Sequence, residues 1–205
     1  MSVAHPFKLG DPICTGCRMP DDLDPRDFDL FEVWYRRWDS PETDNEAAHA
    51  LWNQFWRTGH PVIAVAARDW HGPGQESPFP GPMAFTGVLA ESDSSEAIVE
   101  GLRRGRVLMS GGPMIDFGLR AGDGREAGIN ETLAAPAATM RVGVERLEGP
   151  TQLRIFRSGE RVHTTSIPGD GTYDYDGFAD RPGWYGVELW RDDLPRCITN
   201  HVLLA

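Results

Sequence analysis

Asp69 and His71 stand two residues apart in "AARDWHGPG" (66–74), directly after the apolar run "PVIAVA". A carboxylate and an imidazole at that spacing leave an extended strand on the same side and reach one centre. Carboxylate oxygen and imidazole nitrogen suit Zn²⁺, Mn²⁺ or Fe. The run before them is continuously apolar, as expected of a parallel strand covered on both faces. In α/β folds the carboxyl ends of such strands are where sites are built. The same two residues also read as a solvated aspartate at a strand end beside a surface histidine.

His5 in "SVAHPF" closes another short apolar segment, and the following Pro6 predicts extended geometry for it. It is a second candidate ligand, or an N-terminal surface histidine. Glu32 in "LFEVW" lies inside an apolar run. Buried, it needs an ion pair, a metal or hydrogen bonds; on the exposed face of an edge strand it needs none. Cys14 and Cys17 form a CxxC in the Pro/Gly-rich "GDPICTGCRMPDD". A structural zinc site there needs two more ligands, which Cys197 and His201 could supply from the other half of the chain. A redox role wants the motif between a strand and a helix, and plain loop thiols want nothing. Trp34, Trp38, Trp52, Trp56 and Trp70 all fall in the first half. They suit core packing, or a pocket for an aromatic or sugar-like substrate. No Gly-rich phosphate loop or Ser-His-Asp elbow is found.

These residues need elements to position them. "DFDLFEVW" (27–34) and "HPVIAVAARD" (60–69) read as buried strands. Between them "NEAAHALWNQFWRTG" (45–59) repeats apolar residues at i, i+4 and ends on a C-capping glycine, Gly59. "DSSEAIVEGLRRG" (93–105) reads as a second helix, with Asp93 and Glu96 as a capping box, and "RVLMSG" (106–111) as the next strand. Alternating strands and helices predict an α/β domain over 1–110. Beyond residue 110 the pattern changes. "TMRVGVERL" (139–147), "TQLRIFRSGERVHTTSI" (151–167), "GWYGVELWRD" (183–192) and "RCITNHVLLA" (196–205) are short alternating strands. "RSGE" predicts a hairpin turn, and "PGDGTYDYDGF" reads as a turn-rich separator. Together they predict a small β-sandwich over 111–205, with the boundary in the Gly-rich 110–128.

Composition narrows the partners. The chain has 205 residues and a formal net charge of −11, with 31 acidic against 20 basic residues. That argues against a nucleic-acid backbone or an anionic membrane surface as the main partner, since both demand local positive potential. The longest apolar run, "PVIAVAA", is far short of the roughly 20 residues of a membrane span. The N-terminus has no basic segment leading into a long apolar one, so a cytoplasmic location is expected. Three cysteines make no disulfide framework.

In order, "AHPF", "DLFEVW", "RTGHPVIAVAARDWHG", "SSEAIVEGLRRGRVLMSGGPMIDF" and "CITNHVLLA" resemble the C-terminal part of PHP-domain (polymerase and histidinol phosphatase) metal-dependent phosphoesterases. The nearest branch is the carbaryl-hydrolase-like one. The resemblance implies a partial (β/α)₇-type barrel over 1–110 followed by a β-sandwich domain. It implies His5, Asp69 and His71 as metal ligands, with Glu32 at an acidic position beside them. The family's two- or three-metal cluster draws its first ligands from an N-terminal His-x-His, and this sequence contains no His-x-His. The resemblance therefore implies a truncated chain with at most one metal and little or no activity by itself. The leading expectation is a metal-dependent hydrolase of phosphoesters or related esters, acting on a small-molecule ester. Its rivals are a non-catalytic relic of that family, and a ligand- or carbohydrate-binding module acting through the β-sandwich or an oligomer. A cut barrel exposes strand edges, so a homo-oligomer is also expected.

Overall fold

The computed structural model describes residues 1–8, 24–41, 43–69 and 83–205. Cys14, Cys17, Trp70 and His71 lie outside them. Two compact units are present, Met1–Thr86 and Gly87–Ala205.

The first unit is built on β1 (Ser2–Val3), β2 (Leu30–Tyr35), α1 (Asn45–Arg57) and β3 (Ile63–Ala67). The strands lie side by side in the order β1-β2-β3, all parallel, with Ser2 opposite Leu30 and Leu30 opposite Ile63. As the middle strand, β2 is buried from Phe31 to Tyr35. Parallel strands need a crossover, and α1 supplies the one between β2 and β3. Asp44 caps it by accepting the Ala47 N–H at 2.8 Å. Gly59, at a left-handed φ of 81°, stops it. The i, i+4 rows bury Ala48, Trp52, Phe55 and Trp56. Phe55 meets Phe31 edge-on at 5.5 Å between ring centroids. The indoles of Trp52 and Trp56 both donate to the Val62 carbonyl, at 2.8 and 3.0 Å. These tryptophans are core residues that also tie the helix to the start of β3.

The second unit holds α2 (Ser95–Arg103) and two sheets. The larger sheet orders β4 (Phe85–Val88, which spans the junction), β5 (Val107–Ser110), β10 (Thr151–Arg157), β11 (Glu160–Ile167), β13 (Gly183–Arg191) and β14 (Leu194–Thr199) as β11-β10-β13-β14-β5-β4. β15 (Val202–Leu204) pairs with β13, and β8 (Thr132–Leu133) pairs with β15. The smaller sheet orders β6 (Met114–Arg120), β7 (Glu126–Gly128), β9 (Ala138–Glu145) and β12 (Gly171–Ala179) as β12-β9-β6-β7. Alternate residues of both sheets form one core: Phe117 and Leu119, Met140 and Val142, Leu153 and Ile155, Val187 and Leu189. Each such side chain contributes about 1.5–3 kcal/mol by leaving water.

The expected (β/α)₇-type barrel is not what the chain forms. Of the described residues 48% are strand and 14% helix, with only two α-helices, and none of the several sheets closes. β5 shows the physical reason. Read as the next barrel strand, it instead pairs antiparallel with β14, Ser110 opposite Cys197, inside the larger sheet. An apolar strand followed by an amphipathic helix is common to a barrel and to a small open parallel sheet, and that pattern does not encode closure. No described helix is long and apolar enough to cross a membrane.

Candidate functional site

The three parallel strands bring their carboxyl ends together in the first unit. His5 lies two residues past β1, Arg36 one past β2, and Asp69 two past β3. All three have left-handed backbones, with φ of 33°, 51° and 51°. A non-glycine residue there costs of order 1–3 kcal/mol, and such strain gathers at functional sites. The extended geometry expected of His5 before Pro6 is therefore not observed. Its left-handed turn directs the His5 N–H onto Glu32 Oε2 at 2.9 Å. It also opens a tight turn that the Lys8 N–H closes on the His5 carbonyl at 3.0 Å. Nor does Asp69 continue a strand, because β3 ends at Ala67.

Glu32 sits at the centre of this end. Its side chain is only 4% exposed, so the edge-strand alternative fails: β2 is the middle strand. Oε2 accepts from the His5 backbone and stands 3.6 Å from His5 Nδ1. Oε1 is buried and has no hydrogen-bond partner among the described residues. Burial pushes the Glu32 carboxyl above its ordinary value, the hydrogen bond and charge of His5 oppose it, and the nearby Asp69 charge adds to it.

Asp69 has a different environment. Its Oδ2 receives the Lys8 ammonium at 3.0 Å and the Tyr35 hydroxyl at 3.2 Å. The side chains of Lys8 and Asp69 are 12% and 21% exposed. Desolvation works against the Asp69 charge, but the Lys8 hydrogen bond and charge outweigh it and hold the carboxyl below its ordinary value. Burial likewise opposes the charge on Lys8, and the hydrogen bonds to Tyr35 and Asp69 keep that ammonium above the usual lysine range. The Tyr35 ring is a platform: His5 packs on it at 5.3 Å, the Lys8 ammonium lies 5.2 Å from its centroid, and the Arg36 guanidinium 5.1 Å.

The structure thus brings His5, Glu32 and Asp69 to one sheet end, while His71, Cys14 and Cys17 fall outside the described residues. Lys8 and Tyr35 were not singled out by motif. A signal for Lys8 was available, since it is the single lysine among the chain's twenty basic residues. As donors for a divalent metal, imidazole nitrogen and carboxylate oxygen are of the right kind, and the orphaned Glu32 Oε1 is a vacant acceptor for a cation. Among the described residues no three His, Cys, Asp or Glu side chains form a group that could hold a metal ion. Cys197 and His201, considered as further zinc ligands for the CxxC, both lie in the second unit. Cys197 is fully buried in the second unit's core, where desolvation pushes its thiol far up, and His201 is buried against Trp184 at 4.0 Å.

The second unit carries grooves of its own. A groove of about 370 Å³ on the smaller sheet is rimmed by Asp116, Arg120, Glu126 and Arg141 over Gly118 and Gly143. No tryptophan lines it. Comparison with family models, with curated proteins and with solved structures gives no match for this chain.

Proposed function

We propose that this chain is a metal-dependent hydrolase of phosphoesters or related esters, in which a divalent cation (Zn, Mn or Fe) is held by His5 and Asp69, at the carboxyl ends of β1 and β3, together with His71 of the Asp-x-His motif. The observation that carries this reading is Glu32, a carboxylate 4% exposed with one oxygen unpartnered beside His5. An isolated buried carboxylate is costly, and a cation is what offsets it. When bound, such a cation polarises an ester and lowers the pKa of its water to near neutrality. The chain's own residues prepare the place. Glu32 fixes the His5 backbone, Tyr35 orients the Asp69 carboxylate through its hydroxyl, and the Arg36 guanidinium over Tyr35 lends positive charge for an anionic oxygen.

Equilibrium dialysis against Zn²⁺ or Mn²⁺ tests the reading, followed by assay with a chromogenic phosphodiester and an aryl ester. The expected result is one metal per chain, lost in Asp69→Ala and in His71→Ala. Sub-stoichiometric metal that neither substitution changes sinks it. A second reading, a ligand-binding module, draws on the groove of the smaller sheet. Its mixed charges suit a zwitterionic ligand, and its lack of an indole platform disfavours a sugar.

A further inference from the structure

The chain has nineteen arginines and one lysine, and that lysine stands on the Asp69 carboxylate. Chemistry distinguishes the two. A guanidinium grips a carboxylate with a planar fork, whereas an ammonium is a compact charge on a flexible stem. Lys8 is delivered by the turn that starts at His5, so one short segment carries both a candidate ligand and a cation. The ammonium lies 3.0 Å from Oδ2, over the Tyr35 ring, and its side chain is nearly buried. Tyr35 donates to the same oxygen.

We infer that Lys8 is an internal cation occupying Asp69 in place of the metal, which must leave that carboxylate for a divalent ion to take it, so that the only lysine sets the site's metal affinity. This rests on the metal reading given above. Two cations cannot share Asp69 Oδ2 at contact distance without strong mutual repulsion. Metal entry at Oδ2 is therefore an exchange, in which the Lys8 stem swings its ammonium away from that oxygen. Removing the ammonium removes the competitor. Replacing it by a guanidinium strengthens the competitor, because a bidentate fork holds a carboxylate more firmly than a point charge does. A lysine that merely stabilised the turn would give neither result.

The experiment is Zn²⁺ titration of the whole chain by calorimetry, as wild type, Lys8→Met, Lys8→Arg and Asp69→Ala. Lys8→Met is expected to tighten Zn²⁺ binding about tenfold or more, the scale of one charged hydrogen bond. Lys8→Arg is expected to weaken it, and Asp69→Ala to abolish it in every background. Asp69-dependent binding that Lys8→Met leaves equal or weaker overturns the exchange while sparing the metal reading. Binding by neither wild type nor Lys8→Met overturns both. A measurement on the wild-type residue covers the case where a variant does not fold. Reductive methylation with ¹³C-formaldehyde labels the Lys8 amine and the chain's N-terminus alone. On adding Zn²⁺ the Lys8 resonance should move to the position of a free lysine, and a stationary resonance in the Zn²⁺-bound chain defeats the inference.

Discussion

Buried polarity and left-handed backbone occur in both units, but they are used differently. In the second unit several such features close a piece of structure. Asn200 donates to the Val107 carbonyl at 2.9 Å, and Thr199 Oγ1 accepts from and donates to the Val187 backbone. Positive φ falls at Ser158–Gly159 between β10 and β11, and at Asp192–Asp193 between β13 and β14. Two-residue hairpins demand that geometry, and Gly and Asp tolerate it. In the first unit the left-handed non-glycine residues among those described are His5, Arg36 and Asp69, each following a parallel strand rather than joining a hairpin. The buried carboxylate beside them keeps an oxygen without a hydrogen bond among the described residues. Left-handed non-glycine residues at three strand ends, beside a buried carboxylate oxygen without a hydrogen bond among the described residues, are what the metal reading draws on.

The comparison breaks most readily through the scaffold. Phe117→Ala leaves a cavity between the two sheets, and chemical denaturation should show a loss of roughly 3–5 kcal/mol. Gly186→Ala overpacks it instead. The added Cβ would lie 2.4 Å from His201 Nδ1, part of a ring packed on Trp184. A loss of about 1–3 kcal/mol is expected by thermal unfolding. Glu32→Gln should do the reverse in the first unit. It keeps an acceptor for the His5 N–H and removes an uncompensated charge, so stability should hold or rise by about 1 kcal/mol while Zn²⁺ affinity falls roughly tenfold. If Glu32→Gln proves as damaging as Phe117→Ala, Glu32 is a structural group and the contrast between the units fails.

Local signals in the sequence account for much of this and stop where tertiary choice begins. The i, i+4 rows of 45–59 and the alternation of 139–147 lie where α1 and β9 form, and "RSGE" is the β10–β11 turn. At α2 the cap is Ser94, which accepts the Ala97 N–H at 3.2 Å, rather than Asp93. β12 was hidden because "GTYDYDGFA" has the composition of a turn, although its Tyr/Asp alternation has the period of a strand. The barrel reading failed because pairing partners separated by some ninety residues, such as Ser110 and Cys197, leave no local trace. His5, Glu32 and Asp69 were legible as chemistry-bearing residues at the ends or middle of apolar runs. Lys8 and Tyr35 were not, since they join the site through a turn and a ring contact that no motif spacing records.

The smallest expected effect is also the most specific, because the two carboxylates of the site should respond to pH with opposite sign. Asp69 is held below its ordinary value of 3.8. It therefore contributes stability above about pH 4 that is lost as pH falls through its folded value. Glu32 is raised above its ordinary value of 4.5. Folding favours its protonated form relative to the unfolded chain, so this contribution is fully present below pH 4.5 and is lost as pH rises through the folded value. Unfolding of wild type, Asp69→Asn and Glu32→Gln at a series of pH values separates them. Asp69→Asn should be less stable than wild type near neutrality, by about 1 kcal/mol, and should converge with it on acidification. Glu32→Gln should converge with wild type at low pH and gain on it as pH rises. Parallel pH profiles for the two variants would remove the contrast between the two carboxylates.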